Sequence, residues 1–206
     1  MSRARGQGLL GSVRAIDRLA RPVHAVWELT LACDLACNHC GSRAGRRRPD
    51  ELSREEALDL VAQLAAFGVK EVALIGGEAY LYPHWDEVVR AVRAAEMACV
   101  LVTGGRGFSR ERAVLAKDAG VQSISVSLDG DEPAHDALRG VSGSYRAARA
   151  AIETCRSLDL PVALNSQLNR RNQHCLVHMM DVLFDAQAHG WPWMLTIPMG
   201  GSLTTC

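Results

Sequence analysis

AVWELTLACDLACNHC, residues 25 to 40, joins an apolar β-type run, Ala25 to Leu31, to three cysteines spaced Cys33-x-x-x-Cys37-x-x-Cys40. Thiolates select zinc, Cu(I) or iron-sulfur clusters over hard metals. A [4Fe-4S] cluster normally takes four cysteines. Three close-set ones therefore imply one iron that this loop leaves unligated and open to a substrate or cofactor. Zinc is the rival reading of the loop, and a tetrahedral zinc site would draw a fourth ligand such as His39 or His135.

Outward from this stretch, β-type runs recur at Val72 to Ile75, Cys99 to Thr103, Val121 to Ser127, Val162 to Asn165 and Trp193 to Ile197. Helical patterns separate them. Ser53 with Glu56 three residues on reads as a capping box, followed by Leu58, Val61, Leu64 and Ala65 on one face and by Gly68 as a stop. Ser109 and Gly120 bracket a second helix, Tyr145 to Cys155 reads as a third, and Asn172 opens a longer one whose Met179 and Met180 read as core filler. Six strands alternating with helices favour parallel pairing through right-handed crossovers. Six units are too few for the closed eight-stranded barrel.

In such folds ligands sit at the carboxyl ends of the strands. Those ends carry the cysteine loop, Gly76-Gly77-Glu78, Thr103-Gly104-Gly105, Ser127 with Asp129, and Asn165 with Gln167. The cysteine loop together with GGE, SVSLDG (Ser125 to Gly130) and HDALRG (His135 to Gly140) resembles the radical S-adenosylmethionine (SAM) superfamily, most of all its peptide-modifying SPASM/twitch branch. The resemblance spans nearly the whole chain. With the βα alternation, it implies an open six-stranded (β/α)6 partial TIM-like barrel, parallel strands inside and helices outside. Residues 1–22 read as a helical N-terminal extension. Residues 23–206 read as the core domain, without a last covering helix or a C-terminal auxiliary cluster domain.

The resemblance further implies that Cys33, Cys37 and Cys40 hold three irons of a [4Fe-4S] cluster while SAM chelates the fourth. Reductive cleavage of SAM would then give a 5′-deoxyadenosyl radical that abstracts hydrogen from a substrate. Gly76 and Gly77 would approach the SAM amino group with Glu78 nearby, and Thr103 would line the site. Ser127 and Arg139 would meet the SAM carboxylate, the alternative for Arg139 being a surface pair with Asp136. Asn165 and Gln167 would reach the ribose, Asp129 would fix its own loop, and His39 would cover the cluster. Two departures stand out: Ala79 replaces the proline usual after the glutamate, and Gly104 replaces the asparagine many relatives have. The implied substrate is a peptide or protein side chain, with a tetrapyrrole or other small metabolite as the second reading. A cluster- and SAM-binding fragment without turnover is the third. A reductase such as flavodoxin or ferredoxin would deliver the electron.

Composition bounds the rest. The chain has 206 residues, 48% of them hydrophobic, enough for one domain with a substantial core. The formal net charge is zero, so no overall footprint for nucleic acid exists, and Arg46 to Arg48 read as a solvated loop. Seven cysteines without a hydrophobic signal segment point to a reducing, cytoplasmic setting, with Cys99, Cys155 and Cys175 as small core residues and Cys206 free. No apolar run is long enough for a membrane span.

Overall fold

The structure, a computed structural model, describes residues 21–197. The strands are β1 (His24–Thr30), β2 (Glu71–Gly76), β3 (Ala98–Thr103), β4 (Ser123–Ser127), β5 (Val162–Leu168) and β6 (Trp193–Leu195). They form one sheet in sequence order, every pair parallel, with β1 and β6 at its edges. This is the open half-barrel expected. The helical reading of residues 1–22 lies, except for Arg21 and Pro22, outside the described residues, as do Pro198 to Cys206.

The helices are α1 (Arg54–Phe67), α2 (Trp85–Ala94), α3 (Arg110–Ala119), α4 (Glu132–Arg139), α5 (Ser144–Ser157) and α6 (Leu176–Asp185). At α1 the capping box is complete: Ser53 Oγ accepts from Glu56 N at 3.3 Å and Glu56 Oε2 accepts from Ser53 N at 2.8 Å. Gly68 ends the helix at φ +89°, in the left-handed region a glycine enters without penalty. Ser109 and Gly120 bracket α3 in the same way.

Helices α2 and α4 go beyond the expectation. The HDALRG stretch, read only as a motif, is the body of α4, whose N-cap is Asp131. Asn172 does open the helical run, as the N-cap position of a short 3-10 turn, Gln173–Cys175, that leads into α6, but its side chain does not cap it, since Oδ1 accepts from Asn169 N. Of the two methionines there, Met179 is fully buried but Met180 is 43% exposed, so only the first fills the core.

Leu74, Leu101, Ile124 and Leu164 of the inner strands pack with Val61, Val88, Val92, Ala116 and Ile152 of the helices. Every residue of β4 is buried, as a strand covered on both faces requires. The basic run is locally neutralised, Arg47 by Glu51 at 2.6 Å and Arg48 by Glu28. Cys99, Cys155 and Cys175 are buried. No helix among the described residues is long and apolar enough to cross a membrane.

Candidate functional site

The cysteine loop is closed at its base and docked at its tip. At the base, Cys33 N donates to Gly45 O at 3.1 Å and Gly45 N to Leu31 O at 2.8 Å. Glu51 anchors the end of β1 by accepting from Thr30 Oγ1 at 2.8 Å and Leu31 N at 2.9 Å. At the tip, the loop satisfies the last carbonyls of α4, which a helix end leaves without intrahelical partners. Ala36 N donates to Arg139 O at 3.2 Å and Asn38 N to Leu138 O at 2.9 Å. Asn38 Nδ2 donates to Ala137 O at 2.8 Å, and His39 Nδ1 lies 3.2 Å from Leu138 O.

Each sulfur of the loop receives an N–H. Leu35 N donates to Cys33 Sγ at 3.4 Å, Ala44 N to Cys40 Sγ at 3.3 Å, and the Arg139 guanidinium to Cys37 Sγ at 3.8 Å. Burial pushes the Cys33 thiol up to about 12. It also raises Cys37, against the opposing pull of Arg139. Such thiols stay protonated until a metal displaces the proton, and a coordinating thiol is then deprotonated outright.

The sulfurs face a cavity of about 170 Å³. Among the residues singled out from the sequence, Cys33, Cys37, His39, Cys40, Gly76, Gly77, Glu78, Thr103, Ser127, Arg139 and Gln167 line it. Asn165 is not in this lining, although it pairs in register with Ser127 and its Oδ1 is buried without a hydrogen-bond partner.

Glu78 is fully buried and braced by Thr103 Oγ1 at 2.6 Å and Gly104 N at 2.7 Å. Burial pushes its carboxyl up to about 7, against both of these hydrogen bonds. Gly104 also explains one departure from the usual sequence, since a Cβ there would run into the Leu35 side chain and meet Glu78 Oε1 at 3.0 Å. Asp34, which the sequence did not single out, brings its carboxylate within 4.8 Å of Cys33 Sγ and the Glu78 carboxylate.

Gly76 and Gly77 act differently from a simple opening toward a ligand. A Cβ on Gly76 would strike the Thr30 carbonyl. One on Gly77 would strike the Ala32 carbonyl and lie 2.8 Å from Cys33 Cβ. The missing side chains therefore let β2 press against the root of the cysteine loop. Gly77→Ala is expected to cost about 1–3 kcal/mol through overpacking and to lower iron uptake, read by denaturant unfolding and iron analysis.

Asp129 organises the far wall. It is fully buried and pairs with Arg139 at 2.6 Å and with His39 Nε2 at 3.3 Å, while Oδ1 accepts from Gln167 N at 2.8 Å. Burial alone would raise its carboxyl, but Arg139 and His39 outweigh burial and hold it well below the usual carboxylate range. Asp129 does accept a backbone N–H, but from Gln167 of β5 rather than from its own loop, and it also fixes the cation beside Cys37. The Arg139–Asp136 surface pair does not form, because Asp136 accepts from Gly143 N, Ser144 Oγ and Tyr145 N. A polar residue ten positions before an arginine carries no sequence signal for this pairing, which the fold alone creates.

Of the two fourth ligands considered for zinc, His39 is committed elsewhere and His135 is not among the residues lining the cavity. His39 spans Leu138 O and Asp129, and His135 Nδ1 accepts from Asp129 N at 3.1 Å. Burial pushes the His135 imidazole down to about 4, so it is neutral.

Three soft donors in one short loop, each supplied with an N–H, suit a cluster of iron and sulfide. The buried Arg139 Nε, without a hydrogen-bond partner in the cavity wall, suits a polar ligand beside it. The sequence profile of the Radical SAM superfamily matches residues 27–192. The AdoMet-dependent heme synthase of Methanosarcina barkeri is 31% identical over 176 residues, 84% of this chain and 50% of that protein. The sporulation killing factor maturation protein SkfB of Bacillus subtilis is 30% identical over 151 residues, 73% of this chain and 37% of that protein. Among solved structures, SuiB of Streptococcus suis bound to S-adenosylmethionine superposes with a TM-score of 0.76 at 16% identity, over 86% of this chain and 41% of that one. SuiB has also been solved with its precursor peptide SuiA. The chain spans half the length, or less, of these relatives.

Proposed function

The chain belongs to the Radical SAM superfamily, whose members bind a [4Fe-4S] cluster and SAM, and from that premise we propose that it performs radical chemistry on a peptide or protein side chain. When bound, the cluster and SAM supply reductive carbon–sulfur cleavage and a 5′-deoxyadenosyl radical that takes a hydrogen atom from the substrate. Cys33, Cys37 and Cys40 hold the cluster, and their three N–H donors stabilise its negative sulfurs. Gly76 and Gly77 bring backbone and the Glu78 carboxylate to the SAM amino group. Ser127 and Arg139 receive the SAM carboxylate, and Gln167, with Asn165 behind it, serves the ribose. A one-electron donor of the flavodoxin or ferredoxin kind reduces the cluster.

What supports the peptide reading is the 30% identity to SkfB, a sporulation killing factor maturation protein. Arg139, with the Asp129 carboxylate at 2.6 Å, belongs to the SAM end of the cavity and does not choose between substrates. The name of the heme synthase relative keeps the tetrapyrrole reading as the second one.

The test is anaerobic reconstitution with iron and sulfide, then reduction and electron paramagnetic resonance with and without SAM. A [4Fe-4S] signal that changes on SAM addition, with 5′-deoxyadenosine formed, is expected. A chain that takes up no cluster would sink the assignment. Deuterium carried into 5′-deoxyadenosine from a deuterated peptide pool is the expected substrate result. Label arriving only from a deuterated tetrapyrrole transfers the assignment to the second reading.

A further inference from the structure

Asp131, His174 and Cys175 stand apart from the cysteine loop, yet they bring a carboxylate, an imidazole and a thiol together with their ligand atoms all within 4.8 Å of one another. Asp131 comes from the turn between β4 and α4, and the other two from the 3-10 turn between β5 and α6. Both turns lie at the carboxyl end of the sheet.

The meeting is built into the backbone. Asn172, fully buried, clamps the two connections by donating through Nδ2 to Asp129 O at 2.8 Å and Gln167 O at 2.7 Å. Cys175 N donates to Asn172 O at 2.9 Å, which fixes the cysteine to the clamp. Gly130, at φ +153°, makes room: a Cβ there would meet Ala134 Cβ at 2.9 Å and Cys175 Sγ at 3.4 Å.

Each group has coordinating capacity left. Asp131 Oδ1 caps α4 by accepting from Ala134 N at 3.1 Å, and the carboxylate also takes a hydrogen bond from the Cys175 thiol, which a metal between them would replace. His174 is exposed, with a ring nitrogen already within 4.8 Å of the other two ligand atoms. Cys175 is buried beside the Asp131 carboxylate, and burial raises its thiol. Zinc-to-sulfur and zinc-to-nitrogen bonds of about 2.3 and 2.0 Å put ligand atoms roughly 3.3–3.8 Å apart in a tetrahedron. Closing to that spacing takes a movement on the order of an ångström, which a solvent-facing imidazole can make.

We infer that Asp131, His174 and Cys175 form a second metal site, for a single divalent cation of the zinc class, with a fourth position left to water or an incoming donor. Thiolate, imidazole and carboxylate together exclude the hard cations, which prefer all-oxygen shells. On binding, the Cys175 S–H bond breaks, its proton passes to solvent and a sulfur–metal bond forms, with no change in oxidation state. Two anionic ligands then balance the ion's charge. The ion would cross-link the rim of the barrel next to Asp129 and Gln167.

The test uses the chain with Cys33, Cys37 and Cys40 replaced by alanine, folded by circular dichroism, so that the loop offers no thiolate. Titration with Co²⁺ should give one bound equivalent with a sulfur-to-cobalt charge-transfer band, displaced by Zn²⁺. Adding Cys175→Ser should remove the band, and His174→Ala, at an exposed position, should weaken binding at least tenfold. Absence of uptake, or a band that survives Cys175→Ser, overturns the site and leaves Cys175 a core thiol. The intact chain gives a second measurement: His174→Ala should raise the dissociation constant of one zinc equivalent at least tenfold, and unchanged affinity likewise overturns the inference.

Discussion

Cys37→Ala is expected to leave a folded chain that holds no [4Fe-4S] cluster and cleaves no SAM. Two thiols cannot hold three irons, and Cys37 is the one whose sulfur faces the Arg139 guanidinium at 3.8 Å. Removing it deletes both a ligand and the partner of a buried cation. The core is untouched, because the loop's ties to α4 run through the backbone and through Asn38 and His39. Iron and sulfide content should fall to background, together with 5′-deoxyadenosine formation, while circular dichroism stays native. Retained cleavage would remove the central assignment.

Asp129→Ala should have the largest effect on stability. It strands a buried guanidinium and a buried imidazole at once, and breaking a buried ion pair from one side costs about 3–5 kcal/mol. The Gln167 N–H loses its acceptor as well. Changing Asp129 and Arg139 together to uncharged residues of similar volume should recover much of the loss, because no unpaired charge remains. The wild-type pair also sets a pH dependence. The Asp129 carboxyl is held below its unfolded value, so its contribution is fully present above about pH 4. It is lost as the pH falls below that point, because the unfolded state then binds the proton more readily. Denaturant unfolding between pH 7 and 3 should show stability falling at the acid end in wild type and a flatter profile in the double variant. Equal slopes would mean that this carboxylate does not govern acid stability.

Much of the fold was legible because its signals are local. The runs ending at Ile75 and Thr103 are apolar but for Thr103 itself, those ending at Leu31 and Ser127 mix apolar residues with a few polar ones, and Ser53, Gly68, Ser109 and Gly120 punctuate helices by their own chemistry. The cavity was legible for a related reason, since strand order alone carries the ends of parallel strands to one mouth. What escaped depends on contacts between distant segments. Helix α4 is the exception, since Asp131 as N-cap, Pro133 in the first turn and Gly140 at the C-cap mark it locally within a stretch read as a motif. Asn172 looked like a cap, but its amide spans two strand ends. Gly76 and Gly77 signalled close approach without saying whose atoms approach, and the answer is the chain's own β1. Cys175 was indistinguishable in sequence from Cys99 and Cys155, yet it lies beside Asp131 and His174.

The docking of the cysteine loop on α4 also bears on how a cluster can arrive. A loop of thiols that hung loose would have to surrender its conformational freedom to the incoming iron, at roughly 1–2 kcal/mol for each residue ordered. Here Ala36, Asn38 and His39 are tied to the helix end by the polypeptide itself. Ties made by the polypeptide alone would place much of that ordering with folding rather than with metallation. A loop held this way is expected to take up iron and sulfide again after its cluster is lost to oxygen, read as iron content after a second reconstitution.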